Sequence, residues 1–502
     1  MASSRLETRS APPAILRAAS AEFQDLRQLV FRRHPEREWA SFAWFGWRGT
    51  PSGLVVTLAA LEPPRPGEVD EGYDHVRIHA SYSSRIALAA ERHRLAAGLV
   101  HSHPAGSEPH PSAIDDDMDA YYADYFGGFA PDRPYASLIL GEIDGVTVLS
   151  GRVHWRGRWH AVRHAAIERD PAVEVWPDGD RPAPAPIPPE RVARFTSAFG
   201  KEAHQRLRRS TVAVIGAGGT GSAAIPILAR AGVGRIIVAD SDRVSESNLE
   251  RMHGSRPEHA ANAVPKALLA YEHVHGIDPT VVVEAYIGRL PQKEIVDAVA
   301  TADVVLGCTD QQHSRWALSD VSTRYLVPAI DSGGLIESRG GIVTGQIAQL
   351  VRFLSSDPCV RCRGMVDPAR VEIELLSEEE RARRNAAAGV GPSAAAGVGP
   401  SGRPGPADIP PIDTVGYITT VMGTMAAGYA IGWLTGRFDA PFERMQMNFV
   451  AECLDVTDRK QHRKPGCACG RLRGWADQGA DEAPIAAPDH WPPVERVMLP
   501  GA

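Results

Sequence analysis

The 502-residue chain has no uninterrupted apolar run of the roughly 18 residues that a membrane-spanning helix needs. It has no excess of positive charge either: 54 lysines and arginines face 61 aspartates and glutamates, for a net charge of −7. That balance leaves no electrostatic footprint for nucleic acid or an anionic membrane. The opening residues, MASSRLETRSAPPAILRAAS, lack the apolar core of a secretory leader. Cysteine is scarce, six in all, and two of them form a CxxC. That suits a reducing cytoplasm and a metal site better than a disulfide framework. A cytoplasmic protein binding neither nucleic acid nor membrane is expected.

Glycine (47) and proline (40) are abundant, and their clusters mark joints. The stretch DPAVEVWPDGDRPAPAPIPPE reads as part of a semi-rigid Pro-rich linker, 166–190. AAAGVGPS occurs twice in succession, and such small residues cannot bury enough surface to order themselves, so 380–410 is expected to be a disordered loop. The end of the chain, 473–502, is rich in Ala, Pro and Asp and is expected to be loose. Two domains remain, 20–165 and 191–472, each long enough to bury a core. The first carries β-rich runs such as LVVTLAA (54–60), YASLIL (135–140) and VTVLSGRVHW (146–155). In the second, TVAVIG, RIIVAD, VVVEAY and DVVLGC alternate with helical patterns, which implies a parallel sheet in an α/β layer fold.

Residues 101–115 read HSHPAGSEPHPSAID. AAGLVHSH reads as a strand, and side chains two apart on a strand share a face, so His101 and His103 stand side by side while Ser102 faces away. Two neutral imidazoles and a carboxylate make a three-ligand zinc site whose fourth position is left to water. Asp115 can be that carboxylate. Ser112 stands where a helix N-cap belongs and can also donate to an oxyanion. On the residues alone, a surface histidine pair is the competing account. HSHP followed by SAID resembles the JAMM motif of the JAB/MPN metalloprotease family over roughly 20–165. The resemblance implies an α/β domain with a cytidine-deaminase-like mixed sheet that cleaves peptide or isopeptide bonds after ubiquitin-like proteins. By it, His101, His103 and Asp115 hold Zn²⁺, Glu38 moves a proton from water to the leaving amine, and Ser112 steadies the oxyanion. Two details depart from the usual pattern. The second histidine and the serine stand one residue further apart than in the commonest form. Glu36 competes with Glu38, and Asp116 and Asp117 compete with Asp115, which the SxxD spacing selects.

The second domain opens with TVAVIGAGGTGS, which sets Gly216, Gly218, Gly219 and Gly221 between a strand and a helix. Amides at such a helix start cradle phosphates, and Asp240 closes the next strand where a ribose hydroxyl would bond it. A glycine pattern alone leaves NAD, FAD and ATP open. The sequence DSDRVSESNLER, then Lys266, then CTD at 308–310, gathers charges suited to Mg²⁺ and three phosphates, which a dehydrogenase does not need. From about 190 to 472 the chain resembles the ThiF/MoeB/E1 family of ubiquitin-activating-type enzymes. The resemblance implies a Rossmann-like domain with a mostly parallel sheet that adenylates the C-terminal glycine of a ubiquitin-fold protein with ATP. It places the ribose on Asp240, phosphates on Asn248, Arg251 and Lys266, Mg²⁺ and catalysis at Asp310, and Asp242 beside the phosphates. It also implies a homodimer, with Arg191 or Arg194 offered to a partner's site, weakly supported by the apolar helix 414–434 and its small residues.

Cys359, Cys362, Cys467 and Cys469 are expected to hold a structural Zn²⁺, with His462 as a substitute ligand because CxC replaces the family's second CxxC. Cys308 and Cys453 read as packed core thiols. The expected whole is a fusion of zinc peptidase and adenylating enzyme. Its partner is a ubiquitin-like or sulfur-carrier protein ending in glycine, joined by an E2-like protein or a sulfurtransferase. The alternatives are sulfur-carrier activation for thiocarboxylate biosynthesis and a non-catalytic nucleotide-binding scaffold.

Overall fold

Runs that alternate side chains between two apolar layers build the first half of the chain. In this computed structural model, which describes residues 6, 11–33, 37–71, 76–104, 108–169, 173–176, 185–387, 414–450, 455–458 and 460–497, they form ten strands. These are β1 (Ala14–Ala18), β2 (Ala40–Thr50), β3 (Gly53–Glu62), β4 (Val69–Glu71), β5 (Val76–Ile78), β6 (Ala96–Ser102), β7 (Tyr135–Ile143), β8 (Val146–Trp155), β9 (Arg158–Ile167) and β10 (Glu174–Val175). Eight of them join in the order β10-β8-β7-β6-β2-β3-β1-β9, and β9 also pairs with β8; β4 and β5 make a separate ladder. Parallel and antiparallel pairs mix in this sheet. On β2, Phe42 and Trp44 enter one apolar layer, with helices Ala80–Arg92 and Ala113–Phe129, while Ala43 and Phe45 enter the other, with helix Ser20–Val30.

The first unit is not confined to the N-terminal half. It comprises Met1–Pro182 together with Thr323–Val327 and Ala468–Glu482. Within it, Arg48 Nη1 lies 2.6 Å from Asp477 Oδ1, Trp47 N donates to Gln478 Oε1 and Thr57 Oγ1 donates to Gly474 O. The stretch after 473, expected to be loose, is therefore partly tied to β2 and β3.

The second unit comprises Ala183–Ser322, Pro328–Cys467 and Ala483–Ala502. Its strands are β11 (Thr211–Ile215), β12 (Arg235–Ala239), β13 (Val282–Ile287), β14 (Val304–Gly307), β15 (Ala329–Arg339), β16 (Ile342–Phe353), β17 (Arg444–Asn448), β18 (Asp455–Asp458) and β19 (Glu495–Val497). The sheet order is β18-β17-β16-β15-β14-β11-β12-β13-β19. β13, β12, β11, β14 and β15 are mutually parallel, as the βα alternation requires, whereas β16, β17, β18 and β19 add antiparallel edges. The mostly parallel sheet of the sequence reading thus holds for the central strands only. β19, at the very end of the chain, corrects the expected loose tail a second time.

Helix Gly416–Thr435 is an internal core element: Ala426, Ala427 and Ala430 are fully buried among β-sheet and helix side chains. A Cβ on Gly423 would overlap Thr220 O of helix Gly219–Ala231. Its small residues serve this close helix approach, so they no longer support a dimer. The charged run before the AAAGVGPS repeat forms helix Glu378–Ala387, contrary to the expected disorder from 380; residues 388–413 of the repeat region lie outside the described residues.

Candidate functional site

The nucleotide-type turn follows β11. Gly216 has φ +95°, a left-handed conformation that disfavours side chains, and an added Cβ would stand 2.6 Å from Cys308 O. A Cβ on Gly221 would overlap Gly216 O, so the helix can press this closely only on glycine. Gly218 meets nothing within 4 Å; its open side is where a phosphate could approach backbone. Gly219 packs on Thr419, leaving no room for a Cβ.

Gly216, Gly218 and Gly219 border a cavity of roughly 570 Å³, within the range of small-molecule sites. Asp240, Asp242, Asn248, Arg251, Lys266 and Asp310 all line it, so the structure brings the sequence-selected set together. Asp240 is buried and accepts from Ala217 N at 2.6 Å and Asp242 N at 2.8 Å. Burial raises its pKa, against the pull of nearby Lys266. Lys266 is buried at the start of helix Lys266–Ile277, and its Nζ stands 3.0 Å from Asp242 Oδ2. Asn248 Oδ1 closes a capping box with Ser245, and Arg251 Nη1 donates to Ser247 O and Glu250 Oε1. Asp310 is exposed at the cavity wall.

Arg289, Arg315 and Arg444 line the same cavity and were missed in the sequence, where none belongs to a motif. Arg315 Nε donates to Asp331 Oδ2 at 2.5 Å, and burial pushes the Asp331 carboxyl up to about 6 despite that partner. The detectable signal was position: Arg289 stands two residues past a Rossmann-type strand end. Arg191 is not in this wall; it donates to Ile277 O and lies 3.9 Å from Asp278. Cys308 also lines the cavity, with burial pushing its thiol up to about 12.

The second cluster lies in the first unit. Leu99 of β6 belongs to the apolar layer of helix Ala113–Phe129, so period-two alternation sends His101 and His103 to that side. Ser102 faces the other way, with its Oγ donating to Val30 O and accepting from Trp39 N. The helix opens on Ser112, whose Oγ accepts from Asp115 N while Asp115 Oδ2 accepts from Ser112 N at 2.6 Å. Asp115 Oδ1 lies 3.2 Å from His101 Nε2, and its Oδ2 lies 3.7 Å from His103 Nε2. Burial alone would raise the Asp115 pKa, but the two imidazoles and Ser112 hold it well below the usual carboxylate range. Burial works against protonating His103, yet Asp115 and the charge of Glu38 raise its pKa overall. A bond from Ser102 N to Trp39 O continues the β2–β6 pairing by one step, and Glu38 beside it lies close enough for its charge to act on His103. Asp116 is committed to Arg152 at 2.5 Å and Asp117 is exposed, so Asp115 is the carboxylate that joins the histidines. Glu36 lies outside the described residues.

One ligand atom from each of His101, His103 and Asp115 falls within 4.8 Å of the others. Tetrahedral zinc with bonds near 2.1 Å spaces its ligands by about 3.4 Å, so the three ligand atoms would have to draw together to hold an ion. Cys359, Cys362, Cys467 and Cys469 also cluster within 4.8 Å, with Cys359 Sγ 3.7 Å from Cys467 Sγ. A four-thiolate zinc tetrahedron has edges of about 3.8 Å. The CxC pair therefore fits, and the substitute His462 is exposed and outside the cluster. Cys453 lies outside the described residues.

A five-stranded parallel core with a glycine-lined cavity at its carboxyl ends defines a Rossmann-like α/β fold. The ThiF family profile matches residues 191–469, and the chain belongs to that family. Among curated relatives, the adenylyltransferase and sulfurtransferase UBA4 of Candida albicans is 35% identical over 165 residues, 33% of this chain and 36% of that one. The SAMP-activating enzyme E1 of Haloferax volcanii is 35% identical over 165 residues, 32% of this chain and 56% of that one. The sulfur carrier protein adenylyltransferase of Thermus thermophilus is 32% identical over 163 residues, 32% of this chain and 58% of that one. The chain thus spans between about a third and three fifths of these relatives' lengths. The crystal structure of E. coli MccB with succinimide aligns at TM-score 0.41 and 16% identity, over 56% of this chain and 76% of that one.

Proposed function

We propose that the second unit adenylates the C-terminal carboxylate of a ubiquitin-like or sulfur-carrier protein, and that sulfur-carrier activation is its main role. The observation that carries this reading is the convergence of Gly218, Asp240, Lys266, Arg251 and Asp310 on one cavity. In the reaction, a carboxylate oxygen of the carrier attacks the α-phosphorus of ATP. The bond to the bridging oxygen breaks, and pyrophosphate leaves with the electron pair. The helix-start amides around Gly218 hold phosphate oxygens, and Asp240 accepts from the ribose. Lys266 and Arg251 bear on charge that builds on the phosphates. Asp310 and Asp242 would hold Mg²⁺, which supplies further charge neutralisation. The Thermus thermophilus relative is by name a sulfur carrier protein adenylyltransferase and the Candida albicans one an adenylyltransferase and sulfurtransferase, which supports the choice. A carrier ending in Gly-Gly, incubated with the full chain, ATP, Mg²⁺ and hydroxylamine, should yield a C-terminal hydroxamate; absence of any ATP-dependent product would refute the reading.

A second reading rests on the His101, His103 and Asp115 cluster: a zinc peptidase acting next to the carrier's C-terminal glycine. Zinc at these ligands would supply Lewis acidity to the scissile carbonyl and the attacking water. Glu38, whose charge acts on His103, would take a proton from that water and pass it to the leaving amine. The Ser112 hydroxyl, whose oxygen already accepts from Asp115 N, keeps its proton to donate to the developing oxyanion. The test uses the full chain, because residues 323–327 and 468–482 belong to this unit. A carrier with a C-terminal extension should be cut by wild type and spared by His103→Ala; equal cutting would refute it. Cytoplasmic location and homodimer formation stand as further parts of the proposal; no helix among the described residues is long and apolar enough to cross a membrane.

A further inference from the structure

The stretch beyond 469, which the family profile does not match, packs against residues that line the nucleotide cavity. β19 pairs with β13 in antiparallel register, Ile287 opposite Glu495. That pairing sets Val494 against Gly288, where a Cβ would stand 3.0 Å from Val494 Cγ2. Pro492 O accepts from Gln292 Nε2 at 2.7 Å, while Gln292 Oε1 accepts from Arg289 N at 2.9 Å. The Trp491 ring lies 5.2 Å from the Arg289 guanidinium. The same ring also meets His313, ring centroids 5.3 Å apart, three residues beyond Asp310. Gly288, Arg289 and Asp310 all line the cavity. Trp491 thus touches Arg289, which lines the cavity, and His313, the neighbour of the lining residue Ser314.

The direction of a nucleotide along this sheet edge follows from the strand order. Phosphates belong at the glycine turn after β11 and the ribose at Asp240 after β12. The next strand outward is β13, and the residues that follow it are Gly288 and Arg289. The base therefore arrives beside Arg289. A guanidinium is planar and delocalised and stacks on aromatic faces, so it can carry a base on one face and an indole on the other. Among the described residues no carboxylate pairs with Arg289, which leaves the indole as its anchor.

We propose that Arg289 is a nucleobase-binding residue and that Trp491, with the strand that follows it, is a positioning residue holding Arg289 flat against the base. The C-terminal segment 491–497 then backs the nucleotide site from behind Arg289 and β13. This rests on the adenylation reading, so the experiment separates the two.

Calorimetric titrations with ATP and with tripolyphosphate, both with Mg²⁺, compare full-length wild type, Trp491→Ala, Trp491→Phe and Arg289→Ala. Tripolyphosphate has the phosphates and no base. The expected result is a loss of about tenfold in ATP affinity for Trp491→Ala and Arg289→Ala, with tripolyphosphate affinity unchanged. Trp491→Phe keeps an aromatic face and should restore most of the ATP affinity. Equal ATP binding by Arg289→Ala and wild type would overturn the inference, as would parallel losses for ATP and tripolyphosphate. Should Trp491→Ala fail to fold, Arg289→Ala and Trp491→Phe still decide. Wild type binding neither ligand would instead count against the nucleotide reading itself.

Discussion

Lys266 Nζ rests 3.0 Å from Asp242 Oδ2 at the wall of the cavity. The lysine is buried and the aspartate side chain is 55% exposed. The pair therefore holds a cation in place while one of its partners stays open to solvent and to a metal. In the proposed reaction the triphosphate would compete for the ammonium, and Mg²⁺ would take the released carboxylate. Pairing of this kind pre-orients charge for phosphoryl chemistry without adding much to stability, since half-exposed ion pairs contribute about 0–1 kcal/mol.

The glycine turn separates folding from binding. Gly221→Ala drives a Cβ into Gly216 O and should destabilise the unit by about 1–3 kcal/mol or prevent folding. Gly218→Ala adds a methyl to open space, so its melting temperature should match wild type while ATP affinity falls. Thermal unfolding with ATP titration checks both. Equal ATP binding by Gly218→Ala would show that phosphates do not lie there.

Asp331 gives a pH signature. Its folded carboxyl titrates at about 6, above the ordinary value, because it is buried. The folded state therefore holds this proton more tightly than the unfolded chain does. The stabilisation is full below pH about 4, is lost as pH rises towards 6, and then stays level, a change on the order of 3 kcal/mol. Asp331→Asn removes the titration. Its melting temperature relative to wild type should climb between pH 4 and 6 and be flat above 7. A difference independent of pH would contradict the assignment.

Metal content tests both clusters. Purified full-length chain should carry about two zinc ions. His103→Ala should retain about one, and Cys359→Ala should lose the other along with several degrees of thermal stability. Identical zinc in wild type and His103→Ala would remove the metal from the histidine cluster.

No thioester to the carrier is expected. Residues 363–452 contain no cysteine. Cys308 is held as a thiol by burial and packs against the glycine turn, and Cys359, Cys362, Cys467 and Cys469 belong to one cluster. A gel without reductant should show no dithiothreitol-sensitive adduct between enzyme and carrier. An adduct abolished by Cys453→Ala would contradict this.

Much of both sites was legible because their order is local. Period-two alternation aligned His101 with His103, and a capping box spaced Ser112 from Asp115. What sequence reading missed depends on distant partners. Arg315 matters through Asp331, which only the parallel neighbour strand brings near. The Ala- and Pro-rich tail gave no hint that Pro492 would meet Gln292, 200 residues away. Helix Glu378–Ala387 was hidden by the repeat after it, although Glu, Ala and Arg are good helix formers.

The central claim is acyl-adenylate formation, and ATP–pyrophosphate exchange measures it most directly. With Mg²⁺ and a Gly-Gly carrier, wild type should catalyse exchange that depends on the carrier, and Lys266→Ala should slow it by about 10²-fold or more at unchanged thermal stability. Carrier-independent exchange, no exchange at all, or an undiminished rate in Lys266→Ala would contradict the account.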